Sequence, residues 1–74
     1  MNPLTIAIAR KIRSENMPHI VNRLCDLLEA RCVIPEIMDE TQATALVNEY
    51  LKVRQEHTEY TVRSAYHHAL ARLY

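Results

Sequence analysis

The stretch Met17-Pro18-His19-Ile20-Val21-Asn22-Arg23-Leu24-Cys25-Asp26-Leu27-Leu28-Glu29-Ala30 decides the fold. Met17, Ile20, Val21, Leu24, Leu27 and Leu28 recur at spacings of three and four, so they form one apolar stripe on an α-helix. His19, Asn22, Arg23, Asp26 and Glu29 fill the other side, with Arg23 and Asp26 at a weakly stabilising spacing. Asn16 ahead of Met17 and Pro18 marks a start, and the reading is a helix over about 17–30 that carries the core.

Upstream, Asn2 before Pro3 reads as an N-cap with proline at the first helical position, opening a helix over about 3–14. Leu4, Ala7, Ile8 and Ile12 share a face of it. Ile6 projects from the opposite side, and the loose alternation from Thr5 to Ala9 leaves a short strand open. Downstream, Pro35 forces a break near Arg31 to Ile34. Asp39 with Gln42 three residues on makes a variant capping box for a third helix over about 40–56. Its band of Ala43, Leu46, Val47, Tyr50, Leu51 and Val53 spans a wide arc, which predicts more than one neighbour. Arg54 and His57 fall in the same band, either reaching solvent along their stems or meeting a partner. One continuous helix from Glu40 to Tyr74 is the alternative to a fourth element. Extrapolated past His57, however, the stripe would run through Thr61, Ser64 and His68, whereas the apolar residues are Val62, Ala65, Tyr66, Ala69, Leu70 and Leu73. That phase change predicts a separate helix over about 59–73, with Thr58 as its cap.

The composition agrees with an all-α domain. Glycine is absent and proline occurs three times, so the turn chemistry of hairpins is hardly available. The expected fold is a small bundle of three to four amphipathic helices filling a single domain, 1–74. At 74 residues a core is marginal, which predicts completion by self-association as a dimer or by a partner protein. Nine basic and nine acidic side chains cancel, so no global field draws the chain toward nucleic acid or membrane. No apolar run approaches the length of a membrane span. Arg10, Lys11 and Arg13 follow the apolar start instead of preceding it, unlike a secretory signal; the acid-free opening fits an ordinary first helix or an organellar presequence. Cys25 and Cys32 stand about 10 Å apart along a helix, too far for a mutual disulfide, and read as small apolar residues near the core of a cytoplasmic protein.

Motif chemistry is sparse. No nucleophile, base and orienting group are recognisable together, no glycine-rich phosphate loop is present, and neither a cofactor nor a metal is expected. The adjacent His67 and His68 point about 100° apart on a helix and do not chelate one ion side by side. The last helix is the most suggestive feature, since Arg63, His67, His68 and Arg72 follow Glu59 with no acid among them. Thr61, Val62, Arg63, Ala65, Ala69, Leu70 and Leu73 resemble the recognition helix of winged-helix regulators over about fourteen residues. The resemblance implies a helix-turn-helix pair with Arg63, His67, His68 and Arg72 near phosphates or base edges. The plainer reading has Arg72 complementing a helix C-terminus and the histidines solvated, while Arg63 in a first turn has no such role. Charge is also segregated: Arg10, Lys11 and Arg13 open the chain, whereas its middle is acidic, which suits helices folding on one another or two subunits. The leading expectation is a protein-interaction module (adaptor, inhibitor or regulatory subunit), with Ile6, Arg54 and His57 as candidate interface residues. The alternative is a small dimeric DNA-binding regulator.

Overall fold

Among the described residues four α-helices form, three opened by a capping side chain and one by a proline at its first position. The computed structural model describes residues 2–36 and 38–74. The helices are α1 (Pro3–Glu15), α2 (Pro18–Ala30), α3 (Glu40–Glu56) and α4 (Val62–Leu73), and no strand occurs among the described residues. Asn2 caps α1 by accepting the Thr5 N–H at 2.8 Å, and the Asp39–Gln42 capping box opens α3 in both directions. The segment from Thr5 to Ala9 is helical, not extended.

Two starts differ from the sequence expectation. Asn16 does not open α2; it closes α1 in the left-handed region at φ 48°, its N–H bonded to the Ile12 carbonyl. With no glycine in the chain, asparagine is the side chain that tolerates this conformation best. Met17 is then the N-cap of α2, with no side-chain cap bond, and Pro18 takes the first helical position. Residues 40–74 make two helices, but the second begins at Val62 and its cap is Thr61, not Thr58. Thr61 accepts the Ser64 N–H at 3.1 Å, while Tyr60 N–H bonds the His57 carbonyl in a turn that uses up the residues between.

Around the bundle the neighbours are α1 with α2, α2 with α4, α4 with α3 and α3 with α1; of the two diagonals, α2 and α3 touch slightly and α1 and α4 do not meet. A two-residue link, Asn16 and Met17, turns α1 into α2. The core is wholly apolar apart from tyrosine hydroxyls: Leu4, Ala7 and Ile8 from α1, Leu24 and Leu27 from α2, Ala43, Leu46, Val47, Tyr50 and Val53 from α3, and Ala65, Tyr66 and Ala69 from α4, with Met38 beneath. The wide arc of α3 serves its position between α1 and α4. Ile12, Ile20, Leu51, Val62, Leu70 and Leu73 are half-buried at the margin of this core. The radius of gyration, 11.1 Å, matches the roughly 11 Å expected of a folded chain this long.

The stripe on α2 is where the expected core and the observed one part. Leu24 and Leu27 are buried, Val21 is half-buried, and Leu28 and Met17 are 40% and 42% exposed. Cys25 is exposed as well, not near the core, and Cys32 is half-buried. The apolar arc of α2 is wider than α1 and α4 cover. Leu24→Ala is expected to cost about 2–5 kcal/mol by opening a cavity, whereas Leu28→Ala, already half in water, costs about 1 kcal/mol or less. Thermal melts followed by circular dichroism check this, and equal losses in both variants would contradict the placement of α2.

Candidate functional site

The residues singled out by sequence fall at three places. The first is the junction of α2 with α4. Arg63, in the first turn of α4, donates from Nη2 to the carbonyl of Ala30 at 2.9 Å. Ala30 ends α2, so the guanidinium sits at the negative end of another helix; a first-turn cation that its own helix disfavours is accounted for in this way. One turn further along α4, the buried Tyr66 donates its hydroxyl to the Val33 carbonyl at 2.8 Å. The chain leaves α2 through Arg31, left-handed at φ 50°, and both contacts grip it as it leaves.

The second place is the connection between α3 and α4. Arg54 is half-buried and donates from Nη1 to the Tyr60 carbonyl at 2.8 Å, holding the turn to the end of α3; its Nε is buried with no hydrogen-bond partner among the described residues. His57, Tyr60 and His68 stack, with ring centroids 4.6 and 4.5 Å apart and planes within 15° and 11°. His57 Nδ1 lies 3.1 Å from a Glu59 carboxylate oxygen. A hydrogen bond from its own backbone N–H, and then the His57 ring, hold the Glu59 carboxyl below its ordinary value. Arg72, on α4, reaches Glu56 at 3.1 Å and Glu49 at 3.5 Å on α3, and the bond to Glu56 raises its already high pKa. His67 is exposed and meets the Tyr66 ring edge-on. Arg63, His67, His68 and Arg72 are therefore not one open cationic surface: Arg63 and Arg72 are engaged within the chain and His68 leans on Tyr60.

The third place is the outer edge of α2. Met17, Val21, Cys25 and Leu28 follow one another by four, four and three residues, so they line one stripe about 90° around the helix from Leu24 and Leu27. Leu28 also borders a groove of about 290 Å³ beside Leu4, Arg31, Cys32 and Ile34, at the end where α2 meets the start of α1. Sequence reasoning placed Met17, Val21 and Leu28 inside; the signal that separates them from Leu24 and Leu27 is the packing of α1 and α4, which periodicity does not contain. Ile6 is half-buried on α1, on the side away from Ile8.

A cleft of about 380 Å³ between α1 and α3 is bordered by Arg10, Lys11, Ser14 and Asn48, but Arg10 faces Glu40 at 3.6 Å and Lys11 faces Glu15 at 2.9 Å. Among the described residues, no three histidine, cysteine or carboxylate side chains gather as a metal site would require. Burial pushes the Cys32 thiol up, partly offset by Arg63, so it stays protonated near neutral pH. No helix among the described residues is long and apolar enough to cross a membrane. The chain matches no family model, no curated protein and no solved structure.

Burial raises the phenol pKa values of Tyr50 and Tyr66 above 10.0, because ionising either would place an anion in the core. Their contribution to stability is whole below pH 10 and is lost as pH rises through the raised folded values. Urea midpoints are expected to fall steeply above about pH 10. Tyr66→Phe should cost about 1 kcal/mol at neutral pH, from the lost bond to Val33, and Tyr50→Phe combined with it should flatten the alkaline fall. An unchanged fall in the double variant would contradict this account.

Proposed function

We propose that this chain is a small protein-interaction module, an adaptor, inhibitor or regulatory subunit of the cytoplasm, that docks through the outer edge of α2. The observation that carries the reading is the stripe of exposed Met17, Cys25 and Leu28, with half-buried Val21 between them, on the helix whose Leu24 and Leu27 fill the core. Apolar side chains exposed along one edge of a helix are characteristic of a docking face. The groove beside Leu28 extends the face toward the start of α1.

The interface residues expected from sequence take other parts in this proposal. Arg54 and His57 organise the α3–α4 turn, and Ile6 lies on α1 away from the stripe. DNA binding by α4 ranks second, because Arg63 and Arg72 would have to leave Ala30 and the glutamates of α3 to reach phosphates. The formal net charge of zero offers no compensating attraction.

Fluorescence anisotropy with a labelled duplex at low salt separates the two. The interaction reading expects no binding, and none gained or lost in Arg63→Gln or Arg72→Gln. Binding whose salt slope drops by about one in either variant would overturn it in favour of phosphate contact.

A further inference from the structure

We infer that the joint between α3 and α4 is a pH-sensitive clasp, in which proton uptake by His57 tightens the hold of the α3 end on the turn and, through Tyr60 and His68, on α4. The inference does not depend on the docking face of α2.

Three features of the geometry favour a charge on His57. It is the C-cap of α3, its N–H bonded to the Val53 carbonyl at 2.8 Å, so it stands at the negative end of that helix. Its Nδ1 lies 3.1 Å from a Glu59 carboxylate oxygen. Its ring lies on that of Tyr60, with centroids 4.6 Å apart and planes within 15°. A helix C-terminus, a carboxylate and an aromatic face each stabilise an imidazolium over a neutral imidazole. The pairing also shows from the other side: after the backbone N–H of Glu59 itself, the His57 ring holds the Glu59 carboxyl down.

Tyr60 passes the effect on. Its N–H bonds the His57 carbonyl at 3.2 Å, its own carbonyl accepts from Arg54 at 2.8 Å, and its ring stacks on His68, in the second turn of α4, at 4.5 Å. The next residue, Thr61, caps α4. The three rings therefore tie the end of α3 to the helix whose Arg63 and Tyr66 grip the end of α2. The charged or titratable groups at the joint are Glu49, Arg54 and Glu56 from α3, Glu59 from the turn, and His67 and Arg72 from α4. Arg54 opposes a charge on His57 from the last turn of α3, where Glu59 answers it. Arg72 stands one turn beyond His68 and is paired with Glu56 at 3.1 Å and Glu49 at 3.5 Å. With a carboxylate at hand only for His57, that residue takes up the proton and His68 completes the stack.

The sign follows from the two partners. The imidazolium half is present in acid and is lost as pH rises past the ordinary histidine range, about 6.5. The carboxylate half is whole above pH 4.5 and is lost as pH falls through the lowered Glu59 value. The clasp is complete between these limits and loosens toward alkaline pH. The His57 and Glu59 side chains are 39% and 65% exposed, so the effect tunes the joint and does not unfold it.

Thermal melts followed by circular dichroism at about pH 5.5 and about pH 8, either side of the ordinary histidine value, test the clasp. The gain in midpoint from alkaline to acid pH should be smaller in His57→Gln than in the unaltered chain by about 2–6 °C, the size that a helix-end charge gives in a domain this small. Glu59→Gln and Tyr60→Leu should each remove part of that difference and add little once His57 is replaced. His19→Gln, in the first turn of α2, should leave it unchanged. A gain as large in His57→Gln as in the unaltered chain would overturn the clasp, and so would His19→Gln removing as much as His57→Gln.

Discussion

The bundle is closed by the grip of α4 on the end of α2. Arg63 takes the Ala30 carbonyl and Tyr66 takes the Val33 carbonyl, each across 33 residues of sequence. These carbonyls belong to the one stretch where the chain must stop being helical, because Pro35 follows and Arg31 has turned left-handed. A non-glycine residue in that region costs about 1–2 kcal/mol, so the segment needs partners from elsewhere to hold its course. α4 supplies them, and in doing so fixes which side of α2 faces inward. The Tyr50 hydroxyl, 3.4 Å from the Arg23 carbonyl, adds a weaker contact from α3 to the same helix.

That orientation divides the apolar arc of α2 into two parts with different consequences. Leu24 and Leu27 are turned into the core, while Met17, Val21, Cys25 and Leu28 are left along the outer margin. The same constraint decides the electrostatics of α4. Its arginines look like a free cationic surface in sequence, yet one neutralises a helix end and the other joins two glutamates of α3. These charges hold helices together, while Met17 and Leu28 along the edge of α2 stay partly exposed. The described residues enclose an apolar core within one chain and leave part of the apolar arc of α2 at its outer margin.

Much of this fold was legible in the sequence because helix signals are local. The periodicity of α1, α2 and α3, the Asn2–Pro3 start, the Asp39–Gln42 box and the phase change after His57 each depend on residues within a turn or two. What was not legible depends on distant groups or on near-equal local choices. Thr58 and Thr61 are both competent caps, and the turn closed by Tyr60 with Arg54 selects the second. Asn16 serves at a helix start or at a left-handed stop, and only the tight α1–α2 link decides. The exposure of Leu28 and the target of Arg63 belong to tertiary packing: the first to the two helices that flank α2, the second to a backbone carbonyl with no residue signature at all. The candidate site was visible as a stripe, but its division into inner and outer halves was not.

The central claim is that packing turns Cys25 and the outer edge of α2 to solvent and half-covers Cys32, and the reactivity of the two cysteines tests this most directly. In dilute protein a maleimide should modify Cys25 rapidly and Cys32 slowly, the one exposed and the other half-buried with a raised pKa. Cys32 reacting as fast as Cys25 would contradict the account.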